Sequence, residues 1–187
     1  LSVRAGIAHP ISVSFARLSI NENNVTGTVE ILVEDLVLFQ NLEPGSQECL
    51  TSSQVASAAE RHGSFLRQYF TLSHRDGTLF PFHIIEVMLP EVAPPGIPMT
   101  DLMNYSLIYE VRASFAGSSP EYLTLRQNFG GETLGIPAMM ELVLTLPGEP
   151  EPRPKVTLPK GAPCSLSLTG NPEEVEQFGL TVYDRVY

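Results

Sequence analysis

Four histidines, two cysteines and a few adjacent carboxylates are the side chains of this 187-residue chain with chemistry to offer. His9 is the one candidate metal ligand. If a leader is cleaved after Ala8, His9 becomes the first residue of the mature chain. Its free amine and its ring nitrogen then form a chelate suited to copper or nickel, with a third ligand supplied by the fold. With Leu1–Ala8 attached the amine is blocked, and His9 reads as an exposed residue at a strand start. His62 falls on the apolar stripe of a helix and reads as a core histidine. His74 and His83 flank Asp76-Gly77. In a two-residue hairpin there, His74 pairs with Leu79 and His83 with Phe70, which puts the imidazoles roughly 13 Å apart, too far for one ion.

The remaining candidates carry less. Cys49 and Cys164 sit in no CxxC and have no nearby histidine, so metal or redox chemistry has no support. Paired in an oxidising compartment they would close a loop of about 115 residues, worth roughly 4–5 kcal/mol in the chain-entropy model; otherwise they are two partly buried thiols. Glu34-Asp35 and Glu173-Glu174 look like solvated charge. There is no G-x-S-x-G, and Gly130–Gly135 lacks the Lys-Ser/Thr of a phosphate-binding loop. Arg126, Gln127 and Glu132 are the weak nucleus of a hydrolase reading. Asn24-Val25-Thr26 and Asn104-Tyr105-Ser106 match the glycosylation sequon, though both lie in or beside predicted strands. No catalytic residue and no cofactor is assigned.

Composition narrows the class. Eleven basic residues against 21 acidic ones give a net charge of −10. Such a surface repels nucleic acid and anionic lipid, whose binding needs cationic neutralisation of phosphates. No apolar run approaches bilayer length. An apolar fraction of 43% indicates a globular chain with a real core. Residues 1–8 read as a flexible tail or signal remnant, and 9–187 as one domain.

The elements that must position these side chains are mostly strands. The stretch from His9 to Phe39 reads as a strand, a reversal at Asn21–Asn24, and a long second strand. Ile11, Val13 and Phe15 alternate on the first arm, and Val25, Gly27, Val29, Ile31 and Val33 on the second. One helix is predicted at 51–69. It opens with a Thr51/Gln54 capping box and carries a stripe of Val55, Ala58, Ala59, His62, Phe65 and Leu66. A hairpin follows around Asp76-Gly77, with Pro81 demoting its returning arm to an edge or a bulge. Further strands are predicted at 103–115, 122–129, 140–146, 156–158, 165–168 and 178–182, with Pro-rich loops at 90–101 and 147–155. Many short strands with one helix point to an antiparallel β-sandwich, Ig-like or related, with an inserted helix.

The run from Ala8 to Leu18, then Val25 to Val33 leading into Glu34-Asp35-Leu36, resembles the N-terminal extracytoplasmic domain of HupE/UreJ-type membrane proteins. It is also similar to small secreted orphan proteins that open with His-Pro after a signal peptide. The likeness covers about the first 90 residues. It implies export, a β-rich domain and no established enzymatic activity. The segment Asn41–Glu48 has too few spaced carboxylates for a calcium loop. The family's membrane-spanning part has no counterpart here, so transport does not carry over. The expectation is an exported, non-enzymatic binding or cell-envelope module in the periplasm or outside the cell, with an unidentified protein or envelope component as partner. Metal binding through His9 is the alternative.

Overall fold

The computed structural model describes residues 12–45, 47–117, 119–131 and 136–168. The chain is mainly β. The opening arms form β1 (Ser12–Ile20) and β2 (Asn24–Leu32), antiparallel with Ile20 opposite Val25. The reversal is closed by the Asn21 N–H donating to the Asn24 carbonyl at 2.8 Å. The buried side of β1 differs from the simple alternation. Ser12, Ser14, Ala16, Leu18 and Ile20 point inward, while Val13 and Phe15 are half-exposed. The strand changes polarity midway, so its large apolar residues near the start and near the end lie on opposite faces.

The second strand is shorter than expected. Residues Val33–Gln40 leave it as helix α1, which the sequence reading had merged into the strand. Val33, Leu36 and Phe39, at helical spacing, turn inward, and Asn41 in the left-handed region (φ 50°) stops the helix. The described chain therefore holds two α-helices where one was expected. After β3 (Cys49–Leu50) comes α2 (Ser52–Tyr69), within a residue of expectation and with its capping box complete. Gln54 N–H donates to Thr51 Oγ1 at 3.3 Å, and Thr51 N–H donates to Gln54 Oε1 at 2.9 Å.

The predicted second hairpin splits. β4 (Phe70–Ser73) reverses at Asp76-Gly77, but the ladder survives only to the Phe80 N–H on the Leu72 carbonyl. The local register is Ser73 opposite Leu79, one residue from the expected His74–Leu79 pairing. Pro81 has no N–H to continue with. The chain then crosses to another sheet as β5 (Phe82–Met88), so His83 never meets Phe70.

The remaining strands are β6 (Ile97–Pro98), β7 (Ser106–Ser114), β8 (Tyr122–Gln127), β9 (Ala138–Thr145), β10 (Val156–Pro159) and β11 (Pro163–Ser167). A 3-10 turn at Leu102–Asn104 replaces the predicted start of β7. They assemble into a six-stranded sheet, β10-β9-β1-β2-β7-β5, a three-stranded sheet, β11-β8-β4, and a two-stranded pair, β3-β6. β1 and β9 run parallel, and the other described pairs are antiparallel.

The inner face of the large sheet presents Leu18, Val29, Ile31, Leu107, Tyr109, Val111, Met140 and Leu142. α2 packs on it. The Tyr109 hydroxyl donates to the Ala59 carbonyl at 2.7 Å, and a Cβ on Gly63 would lie 3.2 Å from Ile84 Cδ1. Leu72, Leu123, Leu125 and Leu166 of the small sheet belong to the same core.

Gln127 ties the two sheets together. Its amide donates to the carbonyls of Ala138 (2.9 Å) and Leu158 (3.1 Å), and its oxygen accepts from the Phe129 N–H (3.1 Å). It is fully buried. Gln127→Ala leaves the buried Phe129 N–H without its acceptor and takes a donor from the Leu158 carbonyl, while the Ala138 carbonyl keeps the Lys160 N–H, so a loss of about 2 kcal/mol is expected. Chemical denaturation checks this. A variant of unchanged midpoint would show that water replaces the side chain.

Candidate functional site

His9 and Glu132 lie outside the described residues. The other candidates are dispersed. His62 is fully buried on α2, with its ring centroid 4.9 Å from that of Phe65 and 6.1 Å from those of Phe39 and Tyr109. The Gln40 amide lies 3.3 Å from Nδ1. That contact leaves Nε2 carrying the proton, with no partner among the described residues. Burial lowers its pKa to about 4, so the ring is neutral. It is the core histidine that its position on the stripe implied.

His74 stacks at 4.2 Å on Phe80 in the turn after β4, whereas His83 is exposed on β5. They belong to different sheets and do not converge. Cys49 and Cys164 are both free and buried. The Cys49 thiol donates to the Gln47 carbonyl at 3.3 Å, and burial pushes the Cys164 thiol up. Gln127 is spent on structure, and Arg126 is exposed beside it, so these residues form no acid–base pair. Among the described residues no group of three or more His, Cys, Asp or Glu is placed to hold a metal ion.

Glu34 and Asp35 differ from the solvated charge that their sequence suggests: they are 7% and 2% exposed in the first turn of α1. Helical periodicity puts Asp35 on the same side as Phe39, and that side faces the core. Burial raises the Asp35 carboxyl to about 7; the neighbouring Ser12 hydroxyl opposes this, and the Glu34 charge adds to it. Asp35 Oδ2 and the hydroxyls of Ser12 and Ser14 have no hydrogen-bond partner among the described residues. A cleft of about 360 Å³ opens between the start of α2 and the Pro-rich loop, lined by Thr51–Ser53 and Val92–Gly96. It contains no titratable side chain, and neither Asp35 nor His62 reaches it.

A further surface feature lies at the sheet's edge. Among the described residues β5 ends the six-stranded sheet, paired with β7 on one side only. Leu79 is 63% exposed, Ile85 54%, Met88 43% and Leu89 44%. Among the described residues, three of the five exposed large hydrophobic ones, Ile85, Met88 and Leu89, thus fall on or directly after one seven-residue strand. The opposite edge, β10, is four residues long and ends in Pro159. Long apolar edges invite strand addition, and short or Pro-bearing ones resist it. Pro81 signals an edge or a bulge; the returning arm is an edge, and its bulge falls later, between Ile84 and Glu86.

A bulge between Ile84 and Glu86 sets the facing of β5. Phe82, Ile84 and Val87 turn toward the interior, opposite Ala113, Val111 and Tyr109. His83 and Glu86 turn outward, opposite Arg112 and Glu110. No family model and no curated protein sequence matches this chain.

Proposed function

We propose that this chain is an exported, non-enzymatic binding module with a β-sandwich core, docking through the open edge of β5. The observation that carries the reading is the concentration of exposed apolar side chains on the longest edge strand of the described sheets. An edge strand offers a row of unpaired N–H and C=O groups to a partner's strand, and the alternate side chains provide specificity. The buried titratable groups, Asp35 and His62, sit in the core rather than in a cleft, which favours binding over catalysis.

The six- and three-stranded sheets share one core, which supports the sandwich reading. The likeness of residues 8–36 to HupE/UreJ-type extracytoplasmic domains supports export, as does the strongly acidic surface. No described helix is long and apolar enough to cross a membrane.

The test is site-specific photo-crosslinking in the native host. A photoreactive residue at Met88 is expected to yield a discrete adduct, and one at exposed Glu151 in the loop before β10 is not. No adduct from position 88, or the same adducts from both positions, would end the reading.

A further inference from the structure

We propose that the partner of the β5 edge is a second copy of this chain, added antiparallel about a two-fold axis passing between Ile84 and Ile85. The inference rests on the β5 docking reading and names its occupant.

The first argument is charge. Within one copy neither outward pair on β5 and β7 is complementary: His83 faces Arg112, an imidazole against a guanidinium, and Glu86 faces Glu110, two carboxylates. None of the four has an ion-pair or hydrogen-bond partner among the described residues. Like groups directly opposite each other are unfavourable in a sheet. A two-fold axis between Ile84 and Ile85 sets His83 of one copy opposite Glu86 of the other, twice over. Each row across the joined sheets then runs Arg112, His83, Glu86, Glu110, with the basic half from one copy and the acidic half from its partner. The imidazole N–H donates to the facing carboxylate, and the outer groups extend the same polarity.

The second argument is the bulge. Residues directly opposite across an antiparallel pair must share a face. In an unbroken strand the residues of one face are an even number apart, so an axis between residues 84 and 85 would set inward side chains against outward ones. The extra residue Ile85 shifts the phase, because Phe82 and Val87 both face inward and His83 and Glu86 both face outward. The axis therefore matches Phe82 with Val87 and His83 with Glu86, face for face. Centring the axis on residue 84 or residue 85 breaks the match. Moving it to lie between Ile85 and Glu86 keeps the faces but sets His83 against Met88, and the charge pairing is lost. Ile84 and Ile85 of both copies meet at the axis, covering the most exposed apolar residue of the strand.

An edge of this length makes a small interface, so dissociation in the micromolar range is expected. Sedimentation velocity over micromolar to submillimolar chain should show a reversible shift to twice the monomer mass. Ile85→Lys should remain monomeric throughout with an unchanged circular dichroism spectrum. Under mild oxidation the double variant His83→Cys/Glu86→Cys should become a covalent dimer, because those positions face each other within disulfide reach. Neither single variant should, since each cysteine would meet its own symmetry mate several residues away along the ladder. A dimer that survives Ile85→Lys, or cross-linking by either single variant, overturns the proposed register.

A monomer at every concentration overturns the second-copy proposal, and hydrogen exchange then separates its causes. Rapid exchange of the β5 amides that point away from β7 leaves the edge open for a different partner. Protection of those amides in a monomer means another part of the same chain covers the edge, and the docking reading falls with the proposal.

Discussion

Asp35→Asn is expected to stabilise the protein at neutral and higher pH by as much as roughly 4 kcal/mol, at about 1.4 kcal/mol per pH unit of displaced titration. Asp35 is 2% exposed, and burial raises its carboxyl from the usual 3.8 to about 7. The sign follows from proton uptake. Below pH 3.8 the group is protonated whether the chain is folded or not, and its burial carries no charge penalty. Between 3.8 and 7 the unfolded chain has lost the proton and the folded chain holds it, so stability falls as pH rises. Above 7 the loss is complete. Asparagine keeps the shape and removes the charge, so the gain should be small near pH 4 and full near pH 8.

His62 works in the opposite direction over almost the same window. Its folded pKa is lowered to about 4 by burial, so stability is fully present above 6.5 and is lost as pH falls through 4, by roughly 3 kcal/mol. Between about pH 4 and 6.5 the two slopes oppose each other, and their joint contribution in the parent protein is nearly flat. Each single variant exposes the other slope. Stability should climb with pH in Asp35→Asn and decline with pH in His62→Phe. The slope is the readout, so any packing cost of the phenylalanine does not confuse the result. Urea midpoints measured across this range decide it. A pH profile left unchanged by Asp35→Asn would mean that the carboxyl reaches water.

The elements that were legible in the sequence are those whose signals are local. α2 announced both its face and its start, because Thr51 and Gln54 satisfy each other's backbone groups and the Val55–Leu66 stripe has one period. β7 and β9 showed their buried sides through Leu107, Tyr109 and Val111, and through Met140, Leu142 and Leu144. α1 was hidden. Its N-cap is Leu32, which makes no side-chain capping bond, and the alternation of β2 runs into Val33 without a Gly or Pro to mark the change. Missing α1 meant missing Asp35, whose burial follows only from helical spacing.

The hairpin at Asp76-Gly77 misled for a related reason. A turn signal fixes the reversal but not how far the ladder continues. Pro81 ended it, and β5 found its partner 20 to 31 residues further on. The edge and its bulge, and hence the uncomplementary pairs at His83/Arg112 and Glu86/Glu110, exist only once β5 and β7 are in register. No spacing along one strand could have shown them.

Gly27→Ala is expected to cost more than about 4 kcal/mol or to prevent folding, the largest loss anticipated at a single position. Gly27 lies mid-strand in β2, opposite Leu18 of β1 and Val111 of β7. An added Cβ would lie 2.0 Å from the Arg17 carbonyl oxygen and 2.9 Å from the Leu18 Cα. Both are backbone atoms of the neighbouring strand. They cannot swing aside as a side-chain tip would, because β1 is held by β2 on one side and by β9 on the other. A glycine among Val25, Val29 and Ile31 is what so close an approach of backbones requires. Gly77→Ala is the control. Its Cβ would meet nothing within 4 Å, but its φ of +89° disfavours alanine, so only about 1 kcal/mol should be lost. Denaturation midpoints and soluble yield separate the two, and equal losses would refute the steric argument. The consequence reaches the edge as well. β2 holds β7, and β7 alone holds β5, so opening the β1–β2 ladder should speed hydrogen exchange through β7 before the chain unfolds as a whole.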